Sequence, residues 1–319
     1  MLLAVAALAV AKMGNAMIDP AVDLNLICEQ AFKDAQAKYP EDMLKPEDVS
    51  ISIYVIKRAS NSWIRGGYRG DQSTYPASVV KMFYMAYAAH LMDKGELVSS
   101  PEFERAANDM IKDSNNDATG YIVDRVCGTT PGPELSEKDL KIFGDKRRAV
   151  NRWFEALGYK GINAVQRTYN EGPYGRERQW VGEKFDNRNS LSAEVCGQLL
   201  ADIALEKHWG AKSAAWMKDL LHRANNQDEP DKADGQSRAY IGRVIPSGTK
   251  LYSKAGWTSE TRHDAAWLVM PDGREFAISI FTTKGKNLTL VSYIGSRLLA
   301  SLGYEVVEPV GDPLLDPVD

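Results

Sequence analysis

The chain has 319 residues, 44% hydrophobic and 26% charged, and 39 Lys and Arg against 43 Asp and Glu leave a net charge of −4. This composition suits a globular protein with a sizeable core, in one large domain or two closely packed lobes. The absence of any long basic run argues against nucleic acid as a partner. The three cysteines, Cys28, Cys127 and Cys196, are far apart, odd in number and without C-x-x-C spacing, so they read as small buried apolar residues rather than zinc or redox sites.

Met1 to Ala11 is apolar but too short to span a bilayer. With Gly14-Asn15-Ala16 before Met17, residues 1–16 read as a signal peptide lacking a basic start. The expected location is therefore periplasmic or secreted. From Asp19 to Tyr39 the apolar spacing predicts an amphipathic helix, ended by Pro40 and Pro46. Val49 to Ile56 alternates Val, Ile, Ile, Val with Ser, Ser, Tyr, Ile and predicts a strand, returned by Trp63 to Tyr68.

Helices follow: one running on from Ser78 to Asp93, then Pro101 to Lys112, Ala118 to Val126, Lys146 to Leu157, Ser190 to Glu206 and Ala211 to Arg223. Ser192 is the expected N-cap of the fifth. Gln166 to Asn189 reads as a long, functional loop, and Asn225 to Ser237 as a polar link. Lys250 to Ser253, Ala265 to Met270 and Glu275 to Thr282 are β-rich, with Pro271-Asp272-Gly273 as a hairpin turn. Leu288 to Leu302 closes the fold as a helix, and residues 305–319 form a proline-punctuated flexible tail.

The expected fold is α/β of the α+β type: an antiparallel sheet of about five strands flanked by helices, beside a mainly helical lobe. The sheet draws on both ends of one domain, residues 17–75 and 240–304, and residues of about 76–239 make the helical lobe. Active residues belong at the seam between them.

Ser78 and Lys81 carry the first chemical signal. Three residues apart, they share one face of a helix. Pro76 favours the helix start there, and free N–H groups at that start suit a developing oxyanion. Val79, Val80, Met82, Phe83, Met85 and Ala86 make the helix apolar nearly all round, so Lys81 is buried. A buried lysine is a candidate base for the serine.

Two further motifs lie downstream. Ser114-Asn115-Asn116 begins 36 residues after Ser78, in a polar break between helices, and Lys254-Ala255-Gly256 begins 140 residues later, on an expected strand. Together with Ser78-x-x-Lys81 they resemble the S-x-x-K, S-D-N and K-T-G motifs of the serine β-lactamase and penicillin-binding protein superfamily, closest to class A β-lactamase-like proteins. The resemblance covers Asp19 to Gly303. It implies a serine hydrolase that forms an acyl-enzyme on Ser78, with Lys81 as base and Ser114 relaying a proton to the leaving nitrogen. Asn116 and Lys254 would hold the substrate, and Gly256 would let the strand approach it. The backbone N–H groups of Ser78 and Trp257 would form the oxyanion hole. No cofactor or metal is implied. The substrate would be a β-lactam or a peptidoglycan peptide, with the protein acting as a monomer that has no stable membrane span.

Three departures stand out. Asn115 replaces an Asp, and Ala255 replaces a Thr or Ser, leaving Thr258 and Ser259 as nearby hydroxyls. Arg262 and His263 lie near where the family places a carboxylate-binding arginine. Class A enzymes carry a deacylating glutamate two residues after a loop arginine; here Tyr169 holds that spacing from Arg167, and Glu171 is the nearest carboxylate. Slow β-lactam hydrolysis is therefore expected. The alternatives are a D-Ala-D-Ala peptidase or esterase, and a non-catalytic penicillin- or peptidoglycan-binding module.

Overall fold

A computed structural model describes residues 22–309. The expected signal peptide and most of the tail lie outside them. The elements run α1 (Leu24–Lys38), β1 (Val49–Lys57), β2 (Ser62–Tyr68), β3 (Ser73–Thr74), α2 (Lys81–Asp93), α3 (Pro101–Ile111), α4 (Asn116–Cys127), α5 (Glu137–Arg147), α6 (Ala149–Ala156), α7 (Arg176–Val181), β4 (Leu191–Ser192), α8 (Ala193–Ala204), α9 (Ala211–Leu221), β5 (His222–Arg223), α10 (Gly235–Arg238), β6 (Lys250–Trp257), β7 (Arg262–Val269), β8 (Glu275–Thr282) and α11 (Leu290–Ser301).

The main sheet is antiparallel, in the order β2-β1-β8-β7-β6-β5. The two-residue edge strand β5 adds a sixth to the five expected. The alternation read from β1 sorts its two faces. Ile51, Ile53 and Val55, opposite Ile280, Ile278 and Phe276, join α1 and α11 in one core. Tyr54 and Ile56 face the other way, into the core shared with the helical lobe. A period of two puts every second side chain on one face, and here both faces are covered.

At the centre of the helical lobe lies α2, with Lys81, Met82, Phe83, Tyr84, Met85 and Ala86 all buried. Cys28, Cys127 and Cys196 are buried and unpaired, as their spacing suggested. Ser192 Oγ accepts the Val195 N–H as the cap of α8. Among the described residues, no helix is long and apolar enough to cross a membrane.

Several elements differ from the sequence reading. The eleven-residue helix α5 lies where no helix was expected, and the expected Lys146–Leu157 helix is α6, which begins at Ala149. The Lys254-Ala255-Gly256 motif and Trp257 extend β6 past Ser253, and β7 starts at Arg262. The long loop contains α7, a short helix between Gly175 (φ 53°) and Gly182 (φ 82°). Tyr84 and Asn189 clip this loop shut. Tyr84 donates to Gln166 O at 2.6 Å, and Asn189 Oδ1 accepts from Val165 N at 3.0 Å and Gln166 N at 2.9 Å.

Arg147 anchors α7 from below. Its guanidinium is fully buried, pairs with Glu177, and lies 3.0 Å from Asp124. Arg167 approaches the same Asp124 at 3.6 Å, in space that Gly120 leaves open: a Cβ there would lie 2.0 Å from the guanidinium. Removing one member of a buried ion pair strands its partner's charge. Arg147→Met is therefore expected to cost about 3–5 kcal/mol. The readout is a lower urea midpoint at an unchanged slope. A loss below about 1 kcal/mol would show that the loop is held by other contacts.

Candidate active site

Ser78 sits in a single 3₁₀ turn, Ala77–Val80, that leads directly into α2. Ala77 before it has φ 46°, a left-handed conformation uncommon for a side-chain-bearing residue and typical of functional turns. Three contacts fix this turn. Thr74 pairs with Leu191 in the small β3–β4 sheet. His263 accepts the Thr282 N–H on Nδ1 at 3.1 Å, so its proton is on Nε2, which donates to Tyr75 O at 2.9 Å. Burial pulls that imidazole down to about 4, and it stays neutral.

The third contact is β6. A Cβ built on Gly256 would lie 2.7 Å from Ser78 N, 2.7 Å from Pro76 O and 2.9 Å from Val79 N. Only a glycine lets the strand pass the serine turn this closely. Trp257, the next residue, is half exposed beside the turn.

Lys81 points from the first residue of α2 into the polar break between α3 and α4. Its Nζ lies 2.5 Å from Ser114 O, 3.2 Å from Ser114 Oγ and 2.9 Å from Asn116 Oδ1. Ser114 is itself in the left-handed region, at φ 57°. Asn115, where the family has Asp, turns outward and caps α4 by accepting the Ala118 N–H at 2.9 Å. Lys254 comes from the opposite side. Its Nζ lies 3.0 Å from Ser114 Oγ, 2.8 Å from Gln236 Oε1 and 2.8 Å from Ala255 O. One serine hydroxyl thus bridges two buried lysines.

Burial pulls Lys81 down to about 7. Burial also holds Lys254 well below the usual lysine range, helped by the Arg223 and Lys81 charges and opposed by Asp264 and Asp234. Two ammoniums sharing one hydroxyl repel, so one proton is given up first. Each lysine meets two oxygens that can only accept and shares Ser114 Oγ. With Lys81 as the neutral one, its two N–H groups satisfy Ser114 O and Asn116 Oδ1 and its lone pair can accept a proton.

The structure brings Ser78, Lys81, Ser114, Asn116, Lys254 and Gly256 to one seam between the lobes. Residues 98–308 match the Beta-lactamase enzyme family, about two thirds of the sequence. The chain belongs to this β-lactamase enzyme family. The match begins after Ser78 and Lys81, so their place in the site rests on the geometry above. No curated protein matches the chain. Solved structures of similar fold include a class A β-lactamase from Bacteroides cellulosilyticus, at 14% identity, TM-score 0.59, over 86% of this chain and 98% of that one. PBP-A matches at 16% identity and TM-score 0.58, over 89% and 98%. The chromosome-encoded β-lactamase of Vibrio parahaemolyticus matches at 15% identity and TM-score 0.60, over 86% and 100%.

Two other candidates named from the sequence sit differently. Glu171 is exposed, with no hydrogen bond or ion pair among the described residues. The loop side chain that reaches the motif is its neighbour Asn170, whose Oδ1 accepts from Asn116 Nδ2 at 2.8 Å. Arg262 is buried, its guanidinium 4.5 Å from the centre of the Tyr240 ring and its Nε without a partner. Gln236 escaped the sequence reading altogether. It lies in a polar link with no periodicity, and no local signal marks it.

Proposed function

We propose that the chain is a serine hydrolase that is acylated on Ser78 by β-lactams and releases the acyl group slowly. The chain of hydrogen bonds from Lys81 through Ser114 Oγ to Lys254 carries this reading. Neutral Lys81 takes the Ser78 hydroxyl proton as Oγ attacks the lactam carbonyl. The oxyanion forms against the Ser78 N–H and the Trp257 N–H, which the close passage at Gly256 brings together. As the C–N bond breaks, Ser114 gives its proton to the lactam nitrogen and is reprotonated from Lys81. The ring opens, nothing leaves, and an ester on Ser78 remains.

Hydrolysis of that ester requires a base for water. Asn170, which reaches Asn116 from the loop, is an amide and cannot serve. Losing one general base typically slows a step by about 10²–10⁴-fold. This favours an acyl-enzyme that accumulates, and the same geometry supports a second reading, a penicillin-binding protein that stays acylated. A mutant of PBP-A has been described as an acyl-enzyme complex with penicillin G. An exported location, as the N-terminal sequence suggests, would place the site among peptidoglycan peptides.

Intact-mass tracking after mixing with a penicillin, alongside turnover of a chromogenic cephalosporin, tests this. The expected result is a stoichiometric adduct equal to the whole penicillin, a burst, and a small steady rate. The adduct should vanish in Ser78→Ala. Fast turnover with no covalent species would defeat the slow-release reading. An adduct retained in Ser78→Ala would defeat the nucleophile assignment.

A further inference from the structure

Gln236 is 6% exposed and lies in the first turn of α10, outside all three motifs. Every polar atom of its carboxamide is engaged. Oε1 accepts from Lys254 Nζ at 2.8 Å and from Ala255 N at 2.9 Å. Nε2 donates to Lys112 O at 2.9 Å. The backbone decides which way the amide points: a flipped amide would set N–H against the Ala255 N–H and oxygen against the Lys112 carbonyl. One side chain therefore joins the strand that carries Lys254 to the segment that leads, two residues on, to Ser114.

We propose that Gln236 is a positioning residue of the proton relay, clamping these two segments together and aiming the Lys254 ammonium at Ser114 Oγ. Two of the three Lys254 N–H groups go to oxygens that can only accept, Gln236 Oε1 and Ala255 O. The third meets Ser114 Oγ as a donor. The Ser114 hydroxyl proton must then point elsewhere, toward Lys81 Nζ at 3.2 Å or a leaving nitrogen. Without the Gln236 acceptor, Lys254 loses both its anchor and a reason to stay charged. The charged groups facing it are Lys81 at the start of α2, Arg223 on β5, Asp234 at the cap of α10 and Asp264 on β7. None of them hydrogen-bonds to Lys254 among the described residues, whereas Gln236 does.

The role in acylation rests on the function proposed above; the hold on Lys254 does not. The test uses the full chain, with Gln236→Glu and Gln236→Leu. Two quantities are measured against pH: the rate of Ser78 labelling by a fluorescent penicillin, and the lysine ¹³Cε resonances, with that of Lys254 identified by its loss in Lys254→Arg. In Gln236→Glu a carboxylate replaces the amide beside the ammonium. The Lys254 midpoint should rise by about one pH unit or more, and the alkaline limb of labelling should move up with it. Gln236→Leu should label about tenfold more slowly or worse, with the alkaline limb moved down, and Gln236→Glu, which keeps the acceptor for Lys254 but sets an oxygen against the Lys112 carbonyl, should recover the rate only in part. Identical limbs in all three proteins, per folded molecule, would reduce Gln236 to packing and overturn the proposal. If Gln236→Leu does not fold, Gln236→Glu alone decides. If the parent takes no label, the acylation reading fails. The Lys254 midpoint in Gln236→Glu then still decides the clamp, and an unchanged midpoint refutes it.

Discussion

Lys81→Ala is expected to slow acylation of Ser78 by about 10²-fold or more, the usual scale for losing a general base. Lys81 owes this role to its position and its partners. Its side chain is fully buried, and its hydrogen-bond partners are Ser114 and Asn116, with no carboxylate among them. Desolvation disfavours the ammonium, which brings its midpoint to about 7. Below that pH the lone pair is occupied by a proton and Lys81 cannot accept the serine's. Above it the neutral amine is the base. Acylation in the parent should therefore rise with pH through about 7. Lys81→Arg keeps the charge but titrates far above this range, so it should lose as much as Lys81→Ala. Stopped-flow labelling with a fluorescent penicillin reads all three proteins. A parental rate that is flat through neutral pH, or an Arg variant as fast as the parent, would remove Lys81 from the role of base.

Gly256→Val should cost about 10²-fold or more in acylation, the scale set by misplacing a reacting group by about an ångström. The Cβ position is blocked on three sides by backbone atoms of the serine turn: Ser78 N, Pro76 O and Val79 N, all within 2.9 Å. None of these is the end of a flexible side chain. The strand or the turn must move, and either movement separates the Ser78 N–H from the Trp257 N–H. Overpacking of this kind also destabilises, by about 1–3 kcal/mol. Gly256→Ala should show the same effects on a smaller scale. Thermal unfolding separates lost stability from lost rate, because labelling is compared per folded molecule. A Gly256→Val protein that folds and acylates like the parent would show that the seam opens freely and that the close approach is not needed.

β1 was legible in the sequence because its side chains alternate, and a period of two assigns a face without reference to any other part of the chain; β8 was legible as a β-rich run after a hairpin turn. The same holds for α2, whose apolar residues run right round the helix and so require burial on all sides. Ser78, Lys81, Ser114 and Lys254 could be named because each lies in a short motif of fixed spacing. What joins them could not. Ser114 Oγ meets Lys254 across 140 residues of chain, and Gln236 reaches Lys112 across 124. Asn170 rather than Glu171 meets Asn116 because the backbone of the loop, held by Tyr84, Asn189 and the buried Arg147, aims one side chain inward and its neighbour out. Such a choice depends on the direction of a few backbone bonds, which carry no period and no composition. The sequence by itself determined the elements, their faces and the chemical groups of the site. Only the tertiary structure decided which polar atoms share a proton, because each of those hydrogen bonds is a contact between segments that have no local relation to one another.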